Sequence, residues 1–302
     1  MKKFTSQEIK KFVSNPLFSE EVVLNKDSSW PKISIVTPSY NQSKFLERTI
    51  LSVLNQNYPN LEYVIIDGGS TDGSVEIIKK YEKYFAYWIS KKDKGQSDAI
   101  NKGFQKSTGK ILAWINSDDI YLPEALFKAA EAFKKNPEAN FVFGNTYLID
   151  ECDWVIAEVR FTRFNFFTLI YEGGNLHQTG VFWTREIYNK AGGINPKYQY
   201  CMDFDFFCRI GKIGNSVRIR NFIAGFRQHK DSKGSTIPQV GLIEHKEIMK
   251  RYLPENISEF YLKHRRRLCQ IRRFFLYMIQ GDVDYIAKGI IKRLFKRKSF
   301  KK

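Results

Sequence analysis

Short apolar runs alternate along the first half of the chain with longer stretches in which hydrophobic positions recur at helical spacing. Lys32–Val36 reads as a strand, Ser43–Gln56 as a helix with Phe45, Leu46, Ile50, Val53 and Leu54 on one face, and Leu61–Ile66 as a second strand. Together they make a β-α-β unit. Ser74–Tyr84 predicts a helix, Phe85–Ile89 a short strand, Ser97–Gln105 a helix, Ile111–Ile115 a strand and Pro123–Lys135 a helix, before another apolar run at Phe141–Phe143. This alternation predicts an α/β fold with a mostly parallel central sheet flanked by helices. Upstream, Thr5-Ser-Gln-Glu8 has the form of a capping box for a short N-terminal helix. The pattern divides the chain into an N-terminal extension (1–31), an α/β domain (32–236, with halves 32–120 and 121–236) and a helical tail (237–302).

Each predicted strand ends in small or polar residues. Val36 is followed by Thr37-Pro-Ser-Tyr-Asn41, Ile66 by Asp67-Gly-Gly-Ser-Thr-Asp-Gly-Ser74, and Ile115 by Asn116-Ser-Asp-Asp119. In open α/β sheets ligands bind beyond the carboxyl ends of the strands, so these loops predict a pocket. Adjacent Asp118 and Asp119 put two negative charges at its rim, to be offset by a cation or by strong hydrogen bonds. A divalent metal meets that need, and so does a helix cap. Asp67 is placed to accept from a ring N–H or a sugar hydroxyl. Gly68, Gly69 and Gly73 suit either a ligand loop or an ordinary capped turn. The loop has neither the Gly-x-Gly-x-x-Gly spacing of a dinucleotide turn nor the Gly-Lys-Ser/Thr ending of a phosphate loop, which disfavours both.

Composition narrows the classes. With 302 residues, 43% of them hydrophobic, the chain can bury one large core or one core plus a small appended unit. No apolar run approaches the roughly 20 residues that span a bilayer, and the N-terminus lacks the apolar stretch of a signal peptide, so a cytoplasmic location is expected. The four cysteines show no Cys-x-x-Cys spacing and read as reduced thiols. Of the net charge of +17, residues 261–302 supply +12. There Leu268, Ile271, Phe275, Met278 and Ile279 recur at helical spacing, and Ile286, Ile290, Ile291, Leu294 and Phe295 repeat the pattern beside Lys288, Lys292, Arg293 and Arg297. Basic amphipathic helices of this kind lie on an anionic membrane surface, each basic residue contributing about 1 kcal/mol. Packing on the core or on another subunit is the alternative. Phe and Ile on one face suit lipid better than phosphate, so no nucleic-acid partner is expected.

Five strings, Thr37-Pro-Ser-Tyr-Asn41, Asp67-Gly-Gly-Ser-Thr-Asp-Gly73, Gly95-Gln-Ser-Asp-Ala-Ile-Asn-Lys-Gly103, Gly109-Lys-Ile-Leu-Ala-Trp-Ile-Asn-Ser-Asp-Asp119 and Met202-Asp-Phe-Asp-Phe-Phe-Cys-Arg209, occur in the order and spacing of family 2 glycosyltransferases. Over residues 32 to about 236 the chain resembles that family, and in detail the branch that builds bacterial O-antigen, capsule or exopolysaccharide repeat units. The resemblance implies a GT-A fold, a nucleotide-sugar donor with a UDP-sugar expected, Mg²⁺ or Mn²⁺, and inversion at the anomeric carbon. It also implies non-processive transfer to a lipid-linked or oligosaccharide acceptor, by an enzyme peripheral on the inner face of the plasma membrane. Gln270-Ile-Arg-Arg-Phe274 imitates the Gln-x-x-Arg-Trp motif of processive synthases, but it falls in the basic tail and reads as chance.

Carried over by position, Asp67 resembles the carboxylate that recognises the donor's base, with Thr37, Ser39, Asp98 and Asn101 as further donor contacts. Asp119 is the expected metal ligand, Asp118 a contact to the ribose or to metal-bound water, and His229 lies where relatives carry a His near the metal or diphosphate. Asp203 is the expected general base, with Asp205 as the fallback. A carboxylate in that role contributes typically 10²- to 10⁴-fold. His177, Gln178 and Trp183 fall on the acceptor-side strand; a hydrogen-bonded buried His and a core Trp are the alternatives. Asn116 and Met202 stand where many relatives carry acids. That departure motivates a second reading, an inactive donor-binding homologue serving as an assembly subunit; a third is nucleic-acid binding through the tail.

Overall fold

The computed structural model describes residues 1–173 and 176–299, with side chains as far as Ile291. The tail pattern at Lys292, Arg293, Leu294, Phe295 and Arg297 therefore lies outside the described side chains. The first half runs α1 (Ser6–Ser14), α2 (Glu20–Leu24), β1 (Ile33–Ser39), α3 (Ser43–Leu54), β2 (Leu61–Asp67), α4 (Ser74–Lys80), β3 (Tyr87–Ser90), α5 (Gln96–Gln105) and β4 (Ile111–Trp114). The second runs β5 (Ile120–Tyr121), α6 (Ala125–Lys135), β6 (Phe141–Ile149), β7 (Val155–Val159), α7 (Phe166–Glu172), β8 (Val181–Thr184), α8 (Arg185–Ala191), α9 (Met202–Ile213) and β9 (Ser216–Arg227). The chain continues through α10 (Lys233–Thr236), α11 (Pro238–Lys250), α12 (Glu259–Ile279) and α13 (Val283–Ser299).

One sheet carries these elements in the strand order β3-β2-β1-β4-β8-β6-β9-β5, with β7 paired to β6. The first four strands are parallel, as the β-α-β pattern predicts. Beyond β4 the sheet is mixed: β8 is antiparallel to β4 and β6, β9 is parallel to β6, and β5 and β7 are antiparallel to their partners. The reason is local for β6 and β7, whose short connection can only return the chain antiparallel. Strands β1 and β4 are buried along their whole length, because helices cover both faces of the sheet. Helix α5 comes close to β1 at Gly103, where a Cβ would collide with Val36.

The extensions belong to this body. The capping box forms as expected, with Glu8 N donating to Thr5 Oγ1 at 3.2 Å and Thr5 N to Glu8 Oε2 at 2.7 Å. Helix α1 then buries Ile9 and Val13 against Ile120, Leu122 and Phe222. Helix α11, within the predicted tail, buries Ile248 in the core cluster that holds Trp114, Trp183 and Phe206. At the α12–α13 junction, the buried Arg160 guanidinium meets Glu158, Asp282 and Asp284 at 2.7–2.8 Å. Among the described residues, no helix is long and apolar enough to cross a membrane.

Candidate active site

The parallel register brings the carboxyl ends of β1, β2 and β4 together, Ser39 opposite Asp67 and Val36 opposite Trp114. Asp67 is fully buried there and accepts from Gly69 N (3.1 Å), Ser70 N (2.8 Å), Ser70 Oγ (2.5 Å) and Ser90 Oγ (2.7 Å). It shapes the glycine loop from within. Ser39 Oγ, also buried, has no hydrogen-bond partner and stands at the same strand end. Thr37 points the other way, into the core, where its hydroxyl meets Tyr63 Oη at 3.0 Å; its expected donor contact is corrected on that ground. Asp98 holds the turn before α5, accepting from Lys94 N at 3.0 Å and pairing with Lys102, whose hydrogen bond holds its pKa below the usual carboxylate value. Asn101 is likewise structural: its amide bonds Ile194 N, Ile194 O and the Tyr188 hydroxyl. A residue that the motifs did not single out, Asp93, comes within 3.1 Å of where a Cβ on Gly68 would stand, so glycine there leaves room for this carboxylate.

The two adjacent aspartates part company. Asp119 is 1% exposed and accepts from Arg227 N at 2.8 Å, Thr179 Oγ1 at 2.7 Å and Asn116 Nδ2 at 3.3 Å. Burial, with the neighbouring Asp118 second, pushes its pKa well above the usual carboxylate value. An ion at the expected ligand Asp119 would therefore have to share oxygens that already accept these hydrogen bonds. Asp118 keeps 22% of its side chain exposed, and its Oδ2 lies 3.0 Å from His229 Nε2. The imidazole is packed on Phe45, and its Nδ1 is buried without a partner. An octahedral ion with ligands at roughly 2.1 Å sets neighbouring donors about 3 Å apart, so this carboxylate–imidazole pair fits a divalent cation. Its nitrogen donor suits Mn²⁺ better than Mg²⁺. No group of three or more His, Cys, Asp or Glu gathers among the described residues, so the other ligands would be donor diphosphate oxygens and water. Behind the pair, Arg227 secures both loops: Nε donates to Asp118 O at 2.7 Å and its guanidinium pairs with Asp153, which also binds Arg48.

Asp203 opens α9, where its Oδ1 accepts from Phe204 N at 2.7 Å. Burial raises its pKa, and Lys233 works against the rise. The chain before it is clamped by Glu244 of α11, whose carboxylate accepts from the N–H groups of Gln199, Tyr200 and Cys201 at 2.8–2.9 Å. Asp205 faces inward with zero exposure, paired with Arg209 at 2.7 Å and with Arg251. It has no path to a substrate hydroxyl, and the fallback base is corrected accordingly. Met202 is buried and its sulfur accepts from Ser97 Oγ at 3.0 Å.

Lys233, at the start of α10, links the two corners. Its ammonium donates to Gln96 Oε1 and, at 2.7 Å, to the Gln199 carbonyl; Gln96 in turn donates to Asn116 Oδ1 at 2.7 Å. Partial desolvation of the ammonium lowers its pKa, while Asp203, Glu244 and Asp118 pull it back up. Sequence offered no signal for it, since a lysine in a polar loop reads as surface.

On the acceptor half, Trp183 is fully buried among Trp114, Phe104 and Phe206, which corrects its expected acceptor contact. Gln178 is also buried and donates to Trp114 O, with its Oε1 unpartnered. His177 Nδ1 meets Thr146 Oγ1 at 2.7 Å, and burial pushes its pKa down to about 4, so the ring is neutral. It lines a cavity of about 310 Å³ shared with Phe161, Arg163, Leu176 and Tyr277.

The fold and these motifs have counterparts. TarS from S. aureus, in a crystal structure with UDP-GlcNAc, superposes with a TM-score of 0.62 at 16% identity, covering 80% of this chain and 72% of that one. The mannosyltransferase PcManGT from Pyrobaculum calidifontis, in complex with GDP-Man and Mn²⁺, gives 0.57 at 14% identity, covering 96% and 87%. Both are likenesses of fold. In sequence, a putative teichuronic acid biosynthesis glycosyltransferase of Bacillus subtilis, TuaG, is 36% identical over 110 residues, which are 34% of this chain and 43% of that protein. The model of the family described as glycosyl transferase family 2 matches residues 34–209, from the first strand into the helix that carries Asp203, and the chain belongs to that family.

Proposed function

We propose that this glycosyltransferase moves one sugar, with inversion, from a UDP-sugar to a hydroxyl of a lipid-linked or oligosaccharide acceptor in cell-surface polysaccharide synthesis. The observation that carries the reading is the 3.0 Å Asp118–His229 contact, with Asp118 partly exposed, together with Lys233, whose bonds to Gln96 and to the Gln199 carbonyl join the start of α5 to the loop before Asp203. The nucleotide sugar bound by TarS and the teichuronic acid named for TuaG support the donor and acceptor classes.

The donor base would sit over the Gly68–Gly73 loop, within reach of Ser39 and Asp93, and its diphosphate would run toward Asp118. When bound at Asp118 and His229, Mn²⁺ or Mg²⁺ supplies positive charge against the departing nucleoside diphosphate. Lys233 adds a second positive charge from the acceptor side, released from Gln96 and Gln199 when the diphosphate arrives. Asp203 takes the proton of the attacking hydroxyl as the new bond forms. A carboxylate with a raised pKa holds that proton better than an ordinary one, which suits it to the task.

The test is a panel of nucleotide sugars offered to the purified protein with Mn²⁺ or with a chelator. One donor class raises Tm only with metal, by the equivalent of about 2.7 kcal/mol at 100 times its Kd, and transfer yields the inverted anomer by NMR. Failure of every donor to shift Tm would overturn the reading; undiminished transfer in chelator would remove the metal from it, and a retained anomer would remove inversion.

A further inference from the structure

Helix α12 has two faces of different fate. Toward the body it buries Cys269, sends the Tyr277 hydroxyl to Arg160 O at 2.6 Å and pairs Arg273 with Glu172 of α7. At 3.6 residues per turn, Phe260, Leu268, Ile271, Phe275, Met278 and Ile279 fall on the opposite side, in a stripe of roughly 100° that also takes in His264. All six are exposed, Phe260 and Ile279 by 81% and 82%. Lys263 and Arg267 border the stripe on one edge, Arg265 and Arg272 on the other. The helix is not free to fold this face inward. Its C-terminal end is tied down by Arg160 and Arg218, which both pair with Asp282.

We propose that this outer face of α12 is a docking surface for an anionic lipid bilayer, with the helix lying in the plane of the interface and its apolar stripe among the acyl chains. Charge complementarity selects this occupant. Anionic headgroups meet a basic residue on either side of the stripe, whereas a second copy packed face to face would set these same cations against one another. The length argues the same way, since α12 has 21 residues but too many charges to span the membrane. The inference extends the peripheral location expected of the enzyme and does not depend on catalysis, so it can fail while the transferase reading stands.

Co-sedimentation of the full chain with vesicles tests it, using phosphatidylcholine alone and phosphatidylcholine mixed with phosphatidylglycerol. The protein is expected to bind the mixed vesicles only, and to be released as salt rises from about 0.1 to 1 M and the Debye length shrinks from about 10 to about 3 Å. Ile271→Glu with Phe275→Glu should lower binding at least tenfold. Arg267→Gln with Arg272→Gln should lower it about fivefold per residue. Phe275→Trp, which preserves the face, should give a blue-shifted emission with mixed vesicles only. That readout serves if the glutamate pair misfolds. Binding unaffected by the glutamate pair, absence of binding to either vesicle, or a lipid-free dimer that the glutamate pair makes monomeric would each overturn the proposal, the last by assigning the face to a second copy.

Discussion

Asp118 and Asp119 are neighbours of identical chemistry, and only their surroundings separate them. Three donors from β9, the turn before β8 and Asn116 converge on Asp119, while Asp118 keeps an open edge beside His229. Asp118→Asn should therefore cut metal-dependent transfer by at least 100-fold with little change in Tm. Asp119→Ala, by contrast, should lower stability by about 2 to 4 kcal/mol in denaturant titration, because buried donors lose their acceptor. Asp203 offers a test of sign. Its pKa is raised above 3.8 by burial, so folding favours the protonated form. The stability this gives is complete below pH 3.8 and is lost as pH rises through the folded value. Asp203→Asn should then melt higher than the parent at neutral pH, with the gap closing toward acid, while transfer falls by about 10²- to 10⁴-fold. The acidic limb of the parent's pH–rate profile should lie above the range of ordinary carboxylates.

At the scale of elements, the site depends on how closely helices are held to the sheet and to each other. Glu244 of α11 fixes the turn that leads into α9 by accepting three backbone N–H groups. Glu244→Ala should cost about 2 to 4 kcal/mol and lower kcat while sparing donor affinity measured by calorimetry; Glu244→Gln, which keeps one acceptor oxygen, should cost less. Gly103 sets the distance of α5 from β1. Gly103→Ala gains up to about 1 kcal/mol of helix propensity, but the clash with the stiff, β-branched Val36 should cost about 1 to 3 kcal/mol, so the urea midpoint should fall.

Across the whole molecule, the basic C-terminal helices are mounted on the catalytic body rather than trailing from it. Arg160 is the fixture, and its hydrogen bonds hold the Asp284 carboxyl well below the usual range. Arg160→Ala leaves Asp282 with Arg218 as its remaining cation and takes the partner from Glu158 and Asp284, so it should cost less than the roughly 3 to 5 kcal/mol of a lone buried pair. Limited proteolysis should then cut near Gly281 and release α13, while the parent resists. The mounting also gives the charge asymmetry a direction, since most of the net +17 sits on the tail.

The parallel half of the sheet, the capping box of α1, the loops that carry chemistry and the family were legible from residues alone, because each rests on local spacing: apolar periodicity, strand-end polarity and motif order. The position of Asp203 at a helix start was legible for the same reason. Tertiary structure alone decided which member of each candidate set faces the pocket. Asp118 rather than Asp119 is open, Asp205 is sealed between two arginines and Trp183 is walled into the core, since burial and hydrogen-bond partners come from residues far away in the chain. Lys233, Glu244 and Arg160 were invisible for that reason too: a charged side chain shows its partner only once the fold has brought the two together.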